Sequence, residues 1–245
     1  MNPYLAEFLG TAQLVLFGNG VVANVVLART KGHGSGWIVI ATGWGLAVFV
    51  GAFCAAPSSG AHLNPAVTVA MVVAGKLAAA KVPGYILAQM LGGFVGGAFV
   101  YLFYRDHFRA SSDADGKLAC FATGPAIRNA SQSFFCEALG TFVLLLPIFL
   151  MADPSLAFKG QAPATLGLGS IGLLPVALLV FAIGLSLGGT TGYAINPARD
   201  LGPRLAHALL PIPGKRDGDW GYAWIPVVAP LVGGVAAALV QGAIR

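Results

Sequence analysis

Charged residues are scarce in this chain of 245 residues: aspartate, glutamate, lysine and arginine together make up 9% of it. An ordinary soluble domain contains about 25% of them. Apolar residues make up 57% of the chain, and 34 glycines come in addition. So few charges could not cover the surface of a water-soluble globule, which excludes a soluble enzyme and a disordered chain. The composition therefore indicates an integral membrane protein.

Cysteine is also sparse, with three residues and no C-x-x-C pair. Neither a disulfide framework nor a structural metal site is predicted, and we expect no cofactor. The net charge of +5 could suggest a nucleic-acid partner. The basic residues are scattered singly or in pairs, however, and form no continuous stripe, so we expect no nucleic-acid binding.

Long apolar runs dominate the chain. Six of them, at roughly 4–28, 36–56, 82–104, 132–152, 169–189 and 223–244, are long enough to cross a membrane, whose hydrocarbon core is about 30 Å thick. Two further segments, at 65–75 and 197–210, are too short to span it. Segments of that length are predicted to be re-entrant half-helices, which enter and leave on the same side. The predicted fold is an all-α membrane protein with six transmembrane helices and two half-helices.

The chain contains an internal repeat. A-E-F-L-G-T at 6–11 recurs as C-E-A-L-G-T at 136–141, and S-G-A-H-L-N-P-A at 59–66 recurs as T-G-Y-A-I-N-P-A at 191–198. Each repeat, at about 1–110 and 131–245, holds three spans and therefore crosses the membrane an odd number of times, so the second repeat is inverted. We expect one domain over 1–245, with a loop at 105–130 joining the repeats and a functional site near the midplane.

An Asn-Pro-Ala tripeptide begins each short segment. The residues are Asn64, Pro65 and Ala66 in the first repeat and Asn196, Pro197 and Ala198 in the second. Asparagine is a strong N-cap and proline suits the first helical turn, so each tripeptide is predicted to begin a half-helix. In an inverted repeat the two capped ends meet head to head. Two amide donors and two positive helix ends then converge at the membrane centre.

A single arginine distinguishes the second half-helix from the first. Arg199 falls in the first helical turn, where a cation is disfavoured by roughly 0.3–1 kcal/mol, and a charge inside a membrane costs about 2.5–3.5 kcal/mol or more. The first repeat has Val67 at the equivalent position, so the fold does not require an arginine there. This costly placement predicts N–H donors that line a narrow passage. A structural arginine tied to loop carbonyls is the alternative.

These motifs resemble the aquaporin or major intrinsic protein family, over essentially the whole chain. S-G-A-H-L-N-P-A-V-T at 59–68 and T-G-Y-A-I-N-P-A-R-D at 191–200 carry the resemblance. It implies a passive channel for water or small neutral solutes that excludes protons and ions, with one pore per subunit of a homotetramer. The expected surroundings are the lipid bilayer of the plasma (cell inner) membrane, with both termini in the cytoplasm.

In this family the arginine belongs to a selectivity filter with three further positions, which the motif spacing places at Trp44, Gly184 and Tyr193. Water-selective members typically carry histidine at the position of Gly184 and a smaller aromatic residue at that of Trp44. The glycine is expected to open the passage, while the two aromatic side chains face Arg199. The pattern resembles glycerol facilitators, although these more often have phenylalanine where Tyr193 stands. We expect glycerol as the solute, with a water-selective aquaporin as the alternative.

The resemblance also implies roles for backbone carbonyls and buried acids. The carbonyls expected to line the pore are those of Gly60, Ala61, His62, Gly192, Tyr193 and Ala194. Glu7 and Glu137 lie inside predicted spans, and we expect them to accept hydrogen bonds from the half-helix loops; a proton relay is the alternative. Asp200 is expected to be structural, since it can pair with Arg204 four residues later.

The charge distribution disagrees with the implied orientation. With cytoplasmic termini, four basic residues lie on the cytoplasmic side, namely Lys76, Lys81, Lys159 and Arg245, and nine lie on the opposite side. The positive-inside rule predicts the reverse. Asn129 begins a glycosylation sequon, to which we give little weight because it abuts the fourth span.

A coupled secondary transporter is the alternative from another functional class, because such transporters also use inverted repeats and half-helices. A transporter would need intramembrane acids or an ion site at the midplane, and we find only Glu7 and Glu137. No cluster of histidine, aspartate and glutamate converges on one segment, so we do not expect an enzyme.

Overall fold

The computed structural model describes residues 1–152, 154–156 and 164–244. Within this part of the chain, six helices are long and apolar enough to cross a membrane. They are α1 (Pro3–Val26), α2 (Trp37–Ser59), α4 (Val82–Phe103), α7 (Ala130–Leu150), α8 (Leu174–Leu187, preceded by a 3₁₀ turn at Gly169–Leu173) and α10 (Ile225–Ala243). The six spans predicted from the apolar runs are therefore confirmed. Lys159 and Arg245, which entered the orientation argument, lie outside the described residues.

The two short segments form half-helices, α3 (Pro65–Val73) and α9 (Pro197–Leu209). Each begins at its proline, and the preceding asparagine is the N-cap. The side-chain oxygen of Asn64 accepts a hydrogen bond from the amide of Ala66, and that of Asn196 accepts one from the amide of Ala198. The fold prediction, including the two half-helices, is confirmed.

Glycines on α4 allow two other helices to approach it closely. A Cβ added at Gly96 would lie 2.6 Å from the carbonyl oxygen of Ala12 on α1. One added at Gly97 would lie 2.6 Å from the Cβ of Pro203 on α9. The neighbouring pair at 92 and 93 meets the same two helices. The overlapping G-x-x-x-G spacings thus serve two helix contacts, one on each side of α4.

The second repeat uses glycine in the same way. A side chain at Gly233 on α10 would clash with the backbone of Ala138 on α7, and one at Gly234 would lie 3.1 Å from the carbonyl oxygen of Ala66 on α3. Helix α10 therefore relates to α7 and α3 as α4 relates to α1 and α9. Each half-helix is held by a glycine-bearing span of the other repeat.

The connection between the repeats is more ordered than the predicted loop at 105–130. It contains two short helices, α5 (Arg105–Ala110) and α6 (Ala114–Ala119), and buries Phe108 and Phe121 completely. Asn129 caps α7 and accepts a hydrogen bond from the amide of Gln132. Between α7 and α8, the two-residue strands β1 (Ser155–Leu156) and β2 (Ala164–Thr165) pair antiparallel.

Candidate functional site

The loops that lead into α3 and α9 have the same unusual backbone. Each contains a glycine with a φ of 82° and two further residues with positive φ. These are Gly60, Ala61 and Leu63 in the first loop and Gly192, Tyr193 and Ile195 in the second. A non-glycine residue in such a conformation costs about 1–3 kcal/mol and persists only where its surroundings enforce it. The repeated conformation therefore needs partners that hold both loops.

Glu7 of α1 holds the first loop. Its Oε1 accepts hydrogen bonds from the Ser59 hydroxyl at 2.6 Å and the His62 amide at 2.9 Å. Its Oε2 accepts from the Leu63 amide and from Nε2 of Gln89, both at 2.7 Å. The carboxyl is completely buried, so these four donors replace the water that it would otherwise bind.

Glu137 of α7 holds the second loop through the equivalent bonds. Its Oε1 accepts from the Thr191 hydroxyl at 2.7 Å and the Ala194 amide at 2.9 Å. Its Oε2 accepts from the Ile195 amide at 2.7 Å. Each acid thus binds two consecutive loop amides and one hydroxyl. The hydrogen bond from Gln89 is a fourth contact that Glu7 alone receives. These contacts are those expected of acids that support the loops.

The two half-helices are joined end to end by their capping asparagines. Nδ2 of Asn64 donates to the carbonyl of Ile195 at 2.8 Å, and Nδ2 of Asn196 donates to the carbonyl of Leu63 at 2.8 Å. From the sequence we expected the amide NH₂ of each asparagine to be a donor at the membrane centre. The structure uses one N–H of each amide in this crossed pair, because the opposing loop carbonyl lies within reach. One N–H of each asparagine remains for the space beyond the helix ends.

A cavity of about 220 Å³ runs past both helix ends. Its polar wall includes both capping asparagines and the loop residues Gly60, Ala61, His62, Tyr193 and Ala194. No described residue donates a hydrogen bond to the carbonyls of 60–62 or 192–194. Unpaired carbonyls at membrane depth are tolerated where they face a wet cavity. Gly192, which was expected to line the pore, is not among the lining residues.

Most of the remaining cavity lining is apolar. It consists mainly of aliphatic side chains from α1, α2, α7 and α8, among them Leu14, Val48, Leu144, Ile148 and Val180. The cavity lining therefore combines a set of hydrogen-bonding groups with a larger set of hydrocarbon side chains. Such a space fits a molecule that is itself polar on one edge and apolar on the other.

Arg199 lies at the cavity and stacks on Trp44. Its Cζ is 3.9 Å from the centroid of the Trp44 ring, and both residues line the cavity. The six-membered part of the indole packs against α1, where a Cβ at Gly18 would clash with it. No described residue accepts a hydrogen bond from the Arg199 guanidinium. The alternative of an arginine tied to loop carbonyls finds no such bond in the described chain.

Arg204 provides the contrast, because its guanidinium is fully engaged. Nε donates to Oδ1 of Asp200 at 2.8 Å, and Nη2 donates to the carbonyl of Thr123 at 2.9 Å. Nη1 donates to the carbonyl of Gly218. Asp200 in turn accepts from the amide and the hydroxyl of Thr123, both at 2.7 Å. The pair is buried and ties α9 to two loops, which is more than an exposed i,i+4 pair would do.

The position of Gly184 differs from the one expected from the sequence. The sequence suggested that its missing side chain would open the passage, yet Gly184 does not line the cavity. A Cβ at this position would lie 2.9 Å from the hydroxyl oxygen of Tyr193 and 3.0 Å from its Cζ. The space is therefore filled by the Tyr193 ring, which reaches across to α8. The glycine makes room for a neighbouring side chain rather than for the passage.

Three residues with contacts at this site were missed from the sequence. Gln89 is a lone amide in the apolar α4, and its polarity was an available signal. Trp37, at the start of α2, contacts Tyr193 but is indistinguishable in sequence from a membrane-interface anchor. Thr123 lies in a loop and gave no signal. Among the described residues, no group of three or more His, Cys, Asp or Glu side chains could hold a metal ion.

Comparison with known proteins gives consistent results. The family model described as "Major intrinsic protein" matches residues 1–241. The chain is 54% identical over 238 residues to a Thermotoga maritima protein named "Probable glycerol uptake facilitator protein", covering 97% of each. It is 52% identical over 240 residues to the "Glycerol uptake facilitator protein" of Streptococcus pneumoniae strain R6, covering 98% of each. The X-ray structure of the aquaglyceroporin from Plasmodium falciparum matches with a TM-score of 0.81 and 34% identity, covering 96% of this chain and 93% of that one.

Proposed function

Because the chain belongs to the major intrinsic protein family, we propose that it conducts glycerol, similar small neutral solutes and water passively across a membrane. It is a multi-pass integral membrane protein and a channel, not an enzyme. The relatives are named for glycerol uptake, which favours glycerol over the alternative of a water-selective aquaporin.

The observation that carries the proposal is the pairing of Arg199 with Trp44 at the cavity. A short polyol has hydroxyl groups along one edge and C–H groups along the other. The guanidinium offers fork-like N–H donors to the hydroxyls, while the tryptophan ring and the aliphatic side chains of the lining accept the carbon edge. Together with Tyr193, whose ring occupies the room left by Gly184, these residues form the proposed filter. The unpaired loop carbonyls would accept hydrogen bonds from the solute beyond it.

The centre of the cavity supplies the proposed barrier to ions. Two positive half-helix ends meet there, together with one unused N–H from Asn64 and one from Asn196. Cations are repelled and hydroxyl oxygens are bound by the same donors. Exclusion of protons and cations by opposed half-helix dipoles is a mechanism for which aquaporins are the standard example.

The proposal extends to assembly and orientation. We infer one channel domain over 1–245, with inverted repeats at about 1–110 and 131–245 and one pore per subunit. The protein is proposed to form a homotetramer in the lipid bilayer of the plasma membrane, with both termini cytoplasmic. This orientation places the Arg199 end of the cavity on the outer side.

Cysteine labelling at positions 76 and 216 in intact cells, with a membrane-impermeant reagent, tests the orientation. Labelling at 76 alone would refute it.

Purified protein in liposomes tests the function. Light scattering after a glycerol gradient should show flux above that of protein-free liposomes, without saturation and without dependence on an ion gradient. Saturable, ion-dependent or uphill flux would refute the channel and support a coupled transporter. Fast water flux without glycerol flux would support the water-selective alternative.

Replacing Arg199 by the residue of the first repeat gives a matched variant. We expect Arg199→Val to fold, because Val67 occupies the equivalent position of α3. Hydrogen bonds to charged groups contribute about 1.5–3 kcal/mol. The glycerol-to-water permeability ratio should therefore fall by about tenfold or more, since 1.4 kcal/mol is a factor of ten. An unchanged glycerol-to-water ratio would show that Arg199 does not contribute to the selection of the solute.

A further inference from the structure

The ring of Tyr193 lies in a seat formed by two glycines of α8 and by Trp37 of α2. Gly184 and Gly188 are one helical turn apart and therefore share a face. A Cβ at Gly184 would lie 2.9 Å from the tyrosine hydroxyl oxygen, and one at Gly188 would clash with the ring itself. The Trp37 ring contacts the tyrosine ring edge to face, with centroids 5.9 Å apart and an angle of 73°. The glycine pair receives a side chain rather than another helix.

Trp37 is itself anchored to this seat. Its indole Nε1 donates a hydrogen bond of 2.9 Å to the carbonyl oxygen of Gly184. That carbonyl is one of the last four of α8, which an α-helix leaves without an intrahelical partner. A Cβ at Gly188 would also lie 2.8 Å from Cζ2 of Trp37. The indole therefore joins the start of α2 to the end of α8 across the tyrosine ring.

No polar contact from the described residues fixes the orientation of the Tyr193 ring. Its hydroxyl is buried and has no hydrogen-bond partner among the described residues. Its backbone has a φ of 37°, so its side chain leaves a strained loop. The ring is held by packing alone, and a packed ring keeps its position only if its neighbours keep theirs.

We propose that Trp37 is a positioning residue for the solute filter and sets the upper size of the polyol through Tyr193. The inference rests on the proposed function. Trp37 does not line the cavity and therefore does not touch the solute. It packs against the tyrosine ring, so that the ring stays against α8 and defines one wall of the passage.

Loss of the indole would leave the tyrosine ring free to turn out of its seat, which widens the passage on that side. A four-carbon polyol such as erythritol should then pass more readily relative to glycerol. The measured quantity is the ratio of erythritol to glycerol permeability in liposomes, because a ratio does not depend on how much protein is correctly inserted.

We expect Trp37→Leu to raise this ratio by about threefold or more, because it removes both the hydrogen bond to Gly184 and the aromatic contact with Tyr193. Trp37→Phe loses the N–H donor and one ring but keeps an aromatic edge against Tyr193, so it should give a smaller rise. Trp224 supplies the matched control, since it also lies at the start of a span, α10, and contacts an aromatic ring, that of Phe134. Trp224→Leu should leave the ratio unchanged.

A double variant tests whether Trp37 acts through the tyrosine. In a Tyr193→Ala background, Trp37→Leu should have no further effect on the ratio, because the ring that it positions is absent. An additive effect would show that Trp37 acts by another route and would overturn the proposal. Equal ratios in the wild type, Trp37→Phe and Trp37→Leu would also overturn it. If Trp37→Leu does not fold, an unchanged ratio in Trp37→Phe has the same consequence.

The outcome for the proposed function is separate. A wild-type protein that conducts no glycerol refutes the channel assignment and the inference with it. A wild-type protein that conducts glycerol, with a ratio that Trp37 does not affect, refutes only the positioning role.

Discussion

Replacing Glu7 by glutamine distinguishes a buried acid that holds a loop from one that carries protons. The two oxygens of Glu7 accept four hydrogen bonds, and two of the donors are the amides of His62 and Leu63. Glutamine keeps the shape of the side chain but turns one acceptor into a donor. One pair of donors would then face an N–H₂ group instead of an oxygen.

The loss of stability in Glu7→Gln depends on which of the four donors can reorient. If the new N–H₂ group faces the Ser59 hydroxyl, that hydroxyl can rotate and accept. If it faces Gln89, the amide of Gln89 can turn over and offer its Oε1, which has no partner in the described structure. The backbone amide of His62 or Leu63 cannot turn. One buried N–H is therefore left without an acceptor, which costs about 1–3 kcal/mol.

Glu137→Gln should have a similar cost. Its oxygens accept from the amides of Ala194 and Ile195, so one of these also loses its partner. The two variants form a matched pair, one for each repeat. A proton relay would need neither this symmetry nor these donors.

The assay measures thermal unfolding in detergent and permeability in liposomes on the same preparations. For a chain of this size, 1 kcal/mol corresponds to about 2–4 °C, so both variants should unfold roughly 2–12 °C below the wild type. The glycerol-to-water ratio of the correctly folded fraction should not change. A variant with unchanged thermal stability and lost or proton-dependent flux would refute the structural role.

Three further predictions concern Tyr193, Gly184 and the buried pair of Asp200 and Arg204. Tyr193→Phe removes a buried hydroxyl without a described partner, so unfolding should become harder by about 1 kcal/mol while the glycerol-to-water ratio stays constant; a lower ratio would place the hydroxyl in the solute's path. Gly184→Ala should push the Tyr193 ring towards the passage and reduce glycerol flux more than water flux. Equal reductions of the two fluxes would contradict the packing of the Tyr193 ring against Gly184. Asp200→Asn leaves Arg204 buried without its counter-charge and should cost about 3–5 kcal/mol; unchanged thermal unfolding would count against the buried pair.

The spans and half-helices could be predicted because their lengths are set by simple physical limits. A span must cover the hydrocarbon thickness, so an apolar run nearly fixes its ends. A half-helix begins where asparagine and proline cap it, and both prolines, Pro65 and Pro197, are indeed first residues of helices. The short helices α5 and α6 were missed because they are too short for a periodic pattern. They are held by burial of Phe108 and Phe121 against other segments.

The sequence predicted the positions of the proposed filter but not the contacts between them. The family resemblance and its motif spacing predicted Trp44, Gly184, Tyr193 and Arg199. In the structure Arg199 stacks on Trp44, and Tyr193 packs against Gly184. Spacing could not say that the tyrosine would occupy the room left by the glycine, because that contact joins a loop to a separate helix. The crossed bonds of the asparagines were missed for the same reason, since they depend on the carbonyls of the opposite repeat.

The two repeats agree where the backbone is held and differ where a solute would be recognised. The buried glutamates, the capping asparagines and the left-handed loop residues occur in both. At the cavity, Val67 of the first repeat is replaced by Arg199 in the second, and Ala61 by Tyr193. A passive channel needs only one narrow point, because the slowest step limits flux in both directions. A second arginine at position 67 would add the cost of another charge inside the membrane without adding selectivity. An inverted repeat with one modified half is therefore sufficient for a selective pore.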